Sequence, residues 1–133
     1  MSAERVTYLD SSAIVKLALR EPESRALRQY LRRRAPYVSS SLARVEVART
    51  LLPLGVPALE RGRAVLARLE LVRITDRVLR TAGEILPSEL RSLDAIHLAT
   101  ADGLGDQVAR IVTYDDRFAA AAEAMGWTVA APA

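Results

Sequence analysis

The chain has no cysteine, which removes disulfides, thiolate metal sites and cysteine nucleophiles together. It has one histidine, His97. Zinc centres of the familiar kind therefore lack their ligands, and the paired-histidine chemistry of metal-free ribonucleases lacks its acid and base. His97 itself reads as a packed residue, or as one standing behind a site. It has one lysine, Lys16, too early in the chain to serve a receiver-like signalling site, which wants a late one. Aromatics make up 5% of the residues against 50% hydrophobic, so the core is left to Leu, Val, Ala and Ile. Charged residues interrupt every apolar run well before the roughly 18 residues of a spanning helix, and the opening MSAERVTYLD has no apolar signal core. A soluble, cytoplasmic protein with no membrane role is expected, most simply a single domain over residues 1–133.

What is present is arginine. The net charge is +3, and 18 of the 19 basic residues are Arg. Arginine suits bidentate contacts to phosphate and carboxylate, although an arginine-biased composition also writes ordinary solvated surface. The charge is compatible with nucleic acid and does not establish it.

The stretch RVTYLDSSAIVK organises the rest. Val6 to Leu9 is a short run of β-formers that stops at Asp10, Ser11 and Ser12, after which Ala13, Ile14, Leu17 and Ala18 resume at helical spacing. A strand that runs through a polar turn into a helix puts the turn at the carboxyl end of the strand, where open α/β sheets bind ligands. Ser11 or Ser12 is predicted to cap the helix and leave Asp10 facing the site. The alternative is that Asp10 is itself the cap.

Further along, a helix opens near Glu21-Pro22 and ends in Arg32, Arg33 and Arg34, a short strand covers Pro36 to Ser39, and a helix runs from about Leu42 to Leu52. That helix carries Glu46 beside an apolar stripe of Leu42, Val45 and Leu52, with Arg49 at i+3 as a possible partner. Pro57 starts a helix whose Leu59, Gly62, Leu66 and Leu69 form a stripe that faces either the core or a partner. A strand over Leu71 to Ile74 follows, and then a helix from Thr75-Asp76 to Leu86. Ser92 is read as the N-cap of a helix ending at Gly103, with Asp94 in its first turn, where an acid is favoured by the dipole alone. Val108 to Val112 is a strand broken by Thr113-Tyr114-Asp115-Asp116, the helix after it reaches Met125, and Trp127 to Val129 is a last strand. The alternation predicts a mostly parallel sheet with helices on both faces.

Four acids stand out: Asp10 and Asp115 after strands, Glu46 within a helix and Asp94 at a helix start. If the first and penultimate strands are neighbours, Asp10 and Asp115 lie side by side and the helical acids can close on them. Two like charges about 4 Å apart repel by roughly 4 kcal/mol at an effective dielectric near 20, so such a cluster calls for a cation. Oxygen ligands without sulfur or repeated imidazole select Mg²⁺, or Mn²⁺ in its place, and with it phosphoryl chemistry. A haloacid-dehalogenase-like phosphatase also opens with an acid after a strand, but it wants a second aspartate where Ser12 stands.

The segments YLDSSAIVKL, LARVEVARTL, RSLDAIHLATA and VTYDDRFAAAAEAMGW, in this order, resemble the successive signatures of PIN-domain ribonucleases, specifically VapC toxins of bacterial type II toxin–antitoxin pairs. The resemblance covers essentially the whole chain. It implies a three-layer α/β PIN-like fold with strand order 3-2-1-4-5 and an acidic pocket of Asp10, Glu46, Asp94 and Asp115. It also implies Ser11 or Thr113 as the hydroxyl that orients a ligand, with Asp116 and Arg117 as auxiliary or substrate-orienting residues. The implied chemistry is Mg²⁺- or Mn²⁺-dependent cleavage of single-stranded or looped RNA, leaving a 5′-phosphate and a 3′-hydroxyl. Asp10, Asp94 and Asp115 would hold the metal and Glu46 would place the water or a second ion. The implied partners are a VapB-type antitoxin and a second copy of the chain in a homodimer. One departure stands out: several relatives separate two acids after the fourth strand by one residue, whereas Asp115 and Asp116 are adjacent. A PIN-like binding module without catalysis is the competing reading, and the intact acids count against it.

Overall fold

The computed structural model describes residues 5–133. Five strands, β1 (Val6–Leu9), β2 (Tyr37–Ser40), β3 (Glu70–Val72), β4 (Val108–Val112) and β5 (Val129–Ala130), form one sheet in the order β3-β2-β1-β4-β5. Every pairing is parallel. Seven helices cover it: α1 (Ser11–Ala18), α2 (Ser24–Leu31), α3 (Ala43–Leu51), α4 (Val56–Leu66), α5 (Asp76–Ala82), α6 (Ser92–Leu104) and α7 (Asp116–Ala124). The order is the predicted one, and it follows from where each strand can find apolar cover. β1 is the central strand, and its consecutive residues Tyr8 and Leu9 point to opposite faces. Leu9 packs with Ala13, Ile14, Leu27, Val47, Leu51 and Leu66 of the α1–α4 layer. Tyr8 packs with Leu98, Ile111, Phe118 and Ala122 on the side of α6 and α7. A strand buried on both faces needs the unbroken apolar run that Val6–Leu9 provides.

Periodicity misjudged the inward face of α3 and left that of α4 open. In α3 the inward residues are Ala43, Val47 and Leu51, whereas Val45 and Leu52 of the expected stripe are exposed. The α4 stripe is internal: Ala58, Gly62 and Leu66 are buried, and a Cβ built on Gly62 would collide with the Leu51 side chain and stand 3.1 Å from Val47 Cγ1. A small residue at this crossing lets α4 lie close on α3, against Val47 and Leu51. Several boundaries also differ, and β5 is Val129–Ala130 rather than Trp127 to Val129. α2 begins at Ser24 rather than near Pro22, α5 stops at Ala82 short of Leu86, and β3 starts at Glu70 and ends at Val72. Thr75 caps α5 as its position suggested, its hydroxyl accepting from Val78 N at 3.2 Å.

Candidate metal and phosphodiester site

Because β1 and β4 are neighbours, with Leu9 opposite Val112, the turns that follow them share one end of the sheet. The Asp10 amide donates to Val112 O at 3.3 Å. Asp10 is 4% exposed and is itself the N-cap of α1, Oδ1 accepting from Ala13 N at 3.1 Å. The serines do not take that role. Instead the Ser12 hydroxyl donates to Asp10 Oδ1 at 2.6 Å, and the Thr113 hydroxyl donates to Oδ2 at 2.6 Å. A carboxylate accepts several bonds where a hydroxyl offers one donor, so Asp10 can cap the helix and still bind both hydroxyls. Burial raises its pKa above the usual 3.8, against the opposing pull of Ser12, Thr113 and the Ala13 amide. Ser11 sits at the start of α1 and lines a groove with Ser12, Lys16 and Tyr114.

Thr113 ties the two turns together. Its Oγ1 donates to Asp10 and accepts from Asp115 N at 3.1 Å. Asp115 caps α7, Oδ1 accepting from Arg117 N at 2.9 Å and Phe118 N at 3.0 Å. Asp116, one residue on, is exposed in the first turn of α7. The adjacency of the two acids thus resolves into one cap and one surface acid, because a helix start turns consecutive side chains about 100° apart.

Glu46 finds a partner other than Arg49, which is exposed. Its Oε1 lies 2.6 Å from Nε2 of His97, whose Nδ1 is 2.7 Å from the Tyr8 hydroxyl. Tyr8 and His97 are both buried, at 0% and 1% exposure. Burial first and Asp10 second push the Tyr8 pKa well above its ordinary value, so its hydroxyl keeps its proton. A carboxylate only accepts, so the proton on the ring's Glu46 side must be carried by Nε2. His97 is therefore a buried link that orients Glu46, with both ring nitrogens engaged.

Asp94 stands in the first turn of α6, whose N-cap is Arg91 rather than Ser92. Burial first and the Asp115 charge second raise its pKa above 3.8, against the pull of Arg91 and His97. Its Oδ2 is buried and has no hydrogen-bond partner. Arg91 spans the two acids, Nη2 donating to Asp115 Oδ2 at 3.1 Å while Nε lies 3.5 Å from Asp94 Oδ2. A groove of about 520 Å³ opens beside them, lined by Leu90, Arg91, Asp94, Arg117, Ala121 and Ala124 among others.

Three of the acids are thus linked, Asp10 and Asp115 through Thr113 and Asp94 and Asp115 through Arg91, whereas Glu46 is tied through His97 to Tyr8. Among the described residues, however, no three Asp, Glu or His side chains are close enough to form a ready cage for a metal ion. That differs from the expectation of three acids on one ion. The donor set nevertheless fits a hard cation such as Mg²⁺, which keeps several waters and takes only one or two carboxylates directly. The buried Oδ2 of Asp94, which makes no hydrogen bond and only an ion pair with Arg91, is the oxygen that such an ion would satisfy. Sequence reading missed Arg91 and Ser12. An Arg at a helix start, where the dipole disfavours it, and a serine two residues from a candidate acid were the available signals.

Residues 7–124 match the PIN domain family. The chain is 62% identical over 125 residues to ribonuclease VapC46 of Mycobacterium tuberculosis, covering 94% of this chain and 96% of that one. It is 38% identical over 130 residues to ribonuclease VapC47 of the same organism, with the same coverage of 94% and 96%. In fold it superposes on Mycobacterium tuberculosis VapC20, a toxin that cleaves the sarcin–ricin loop, with a TM-score of 0.74, 18% identity, and 86% and 94% of the two chains covered. A toxin–antitoxin complex from Klebsiella pneumoniae superposes with a TM-score of 0.72 and 20% identity over 96% of this chain and 98% of that one. The chain belongs to the PIN-domain family and, within it, is closely related to the VapC ribonuclease toxins.

Proposed function

We propose that this protein is a divalent-metal-dependent endoribonuclease, the toxin of a toxin–antitoxin pair, that hydrolyses RNA phosphodiesters. The observation that carries the reading is the pair of acids that follow β1 and β4, Asp10 and Asp115, both hydrogen-bonded to Thr113, with Asp94 joined to Asp115 through Arg91 and its buried Oδ2 making no hydrogen bond. Ribonuclease relatives that match almost the full chain support the same activity.

Asp94 and Asp115, with Asp10 behind them, are the residues to hold Mg²⁺ or Mn²⁺. When bound, the cation supplies Lewis acidity toward the phosphodiester and a lower pKa for the attacking water. Glu46, fixed by His97, positions that water from the α3 side. Asp10 is held by Ser12 and Thr113 so that it cannot rotate away. Arg117, at the edge of the groove, meets the RNA backbone. In-line attack at phosphorus leaves a 5′-phosphate and a 3′-hydroxyl. Lys16, the only lysine, is 2.8 Å from Glu23 and paired with Glu21 as well, so it does not serve as a base for the 2′-hydroxyl route.

A VapB-type antitoxin and a second copy of the chain are the partners in this reading. The exposed Leu52, Leu54 and Val56, between the end of α3 and the start of α4, supply the apolar surface for the homodimer. The activity is tested by incubating purified protein with total RNA in Mg²⁺, in Mn²⁺ and in EDTA. Cleavage confined to the metal samples, with 5′-phosphate ends and none from Asp94→Asn, supports the reading. Undiminished cutting in EDTA overturns it.

A further inference from the structure

Arg91 is placed against the interests of its own helix. It is the N-cap residue of α6, makes no side-chain capping bond there, and puts a positive charge at the positive end of a helix dipole. Its guanidinium is 64% exposed and goes to the acids instead, 3.1 Å from Asp115 Oδ2 and 3.5 Å from Asp94 Oδ2. It thus lies between two carboxylates that repel each other, beside an Asp94 oxygen with no hydrogen bond. Arg91 and Arg117 also line the same groove, which opens onto Asp94.

We propose that Arg91 is an exchangeable internal counterion: it holds Asp94 and Asp115 together in the metal-free protein, is displaced by the divalent cation, and then grips a phosphate of the RNA. This rests on the metal-dependent nuclease reading above. A guanidinium suits both states, because its planar fork matches carboxylate and phosphate alike. An exposed side chain exchanges partners without disturbing the core. The device keeps the empty acidic site from self-repulsion, and it makes a cationic phosphate contact available only once the metal has taken the acids. Arg91 is accordingly a substrate-positioning residue whose effect on the metal is opposite in sign to its effect on cleavage.

The experiment separates those two effects. Mn²⁺ affinity is read without RNA from the loss of the free-ion paramagnetic resonance signal, for wild type, Arg91→Ala, Arg91→Lys and the remote surface control Arg68→Ala. Removing a competing exposed ion pair should tighten Mn²⁺ binding about two- to five-fold in Arg91→Ala, with Arg91→Lys between and Arg68→Ala unchanged. Cleavage of total RNA at saturating Mn²⁺ should fall on the order of ten-fold or more in Arg91→Ala, as for loss of a charged hydrogen bond, and recover in part in Arg91→Lys. Unchanged or weaker Mn²⁺ binding in Arg91→Ala overturns the counterion role, as does equal tightening in Arg68→Ala, which would mark a net-charge effect. Tighter binding with undiminished cleavage overturns the phosphate role. Wild type that binds no Mn²⁺ at millimolar concentration sinks the nuclease reading itself, whereas metal-dependent cleavage indifferent to Arg91 sinks only this inference.

Discussion

His97 Nε2 lies 2.6 Å from Glu46 Oε1 across 51 positions of sequence. The bond crosses from α6 to α3, and on its far side the same ring meets Tyr8 of the central strand. The orientation of Glu46 is therefore set from within the core and not by its own helix.

Replacing His97 tests that arrangement. His97→Ala leaves a cavity and an unpaired buried Tyr8 hydroxyl, and a loss of about 3–5 kcal/mol in urea unfolding is expected. Tyr8→Phe removes the hydroxyl from a ring that remains packed and should cost about 0.5–1.5 kcal/mol. RNA cleavage should fall in both, and in a double-mutant cycle the two losses should be less than additive. Additive losses would show that the two residues act independently.

Asp10 separates capping from charge. Asp10→Asn keeps an oxygen for the Ala13 amide while removing a buried charge, so the thermal midpoint in EDTA should hold or rise while cleavage disappears. Asp10→Ala loses the cap as well and should be less stable than Asp10→Asn by about 1 kcal/mol. Calorimetry of the two variants in EDTA checks the order, and equal midpoints would remove the cap from the account.

Asp94 carries a dependence on pH with a definite sign. Its folded pKa, like that of Asp10, is raised above the ordinary 3.8. The folded state therefore holds protons that the unfolded state has already released, and these two groups lower stability as pH climbs from 3.8 through their folded pKa values. In EDTA, Asp94→Asn should melt higher than wild type near neutrality, and the difference should shrink toward pH 4. Mn²⁺ at about a hundred times its dissociation constant should add roughly 2.7 kcal/mol to wild type by mass action, and Asp94→Asn should lose most of that gain. Arg49→Ala should respond to Mn²⁺ as wild type does. An apo Asp94→Asn that is less stable than wild type yet equally metal-responsive would return Asp94 to a plain helix-start acid.

The proposed dimer can be tested by position. Leu66 is buried at 6% exposure, so Leu66→Glu should unfold the chain and tell nothing of assembly. Leu52→Glu and Val56→Glu lie on the exposed apolar face and should leave the circular dichroism spectrum and melting cooperativity intact while shifting sedimentation from dimer to monomer. A dimer that survives both substitutions has its interface elsewhere.

The parallel sheet and the turns bearing Asp10 and Asp115 were legible because they depend on local pattern: a short apolar run, an abrupt polar break and a resumed helical period; the order of strands came from the resemblance to PIN domains. An acid right after a buried strand is at the sheet's carboxyl end whatever surrounds it. The inward face of α3 was not legible, because a bare stripe does not tell which side meets α4. In the fold that side carries Ala43, Val47 and Leu51, with Val47 and Leu51 packed against Gly62 of α4.

Partnerships among the acids were least visible in the sequence. Reasoning within one turn offered Arg49 to Glu46 and Ser92 to the α6 cap, whereas the fold assigned His97 and Arg91; for the α1 cap it left Ser11, Ser12 and Asp10 open, and the fold chose Asp10. The chain by itself determined that Asp10 and Asp115 follow strands, that Asp94 starts a helix and that Glu46 and His97 lie within helices. Tertiary structure decided which of them touch, because a hydrogen bond requires atoms about 3 Å apart, and such distances between elements distant in the chain are fixed only when the sheet and both helical layers have packed.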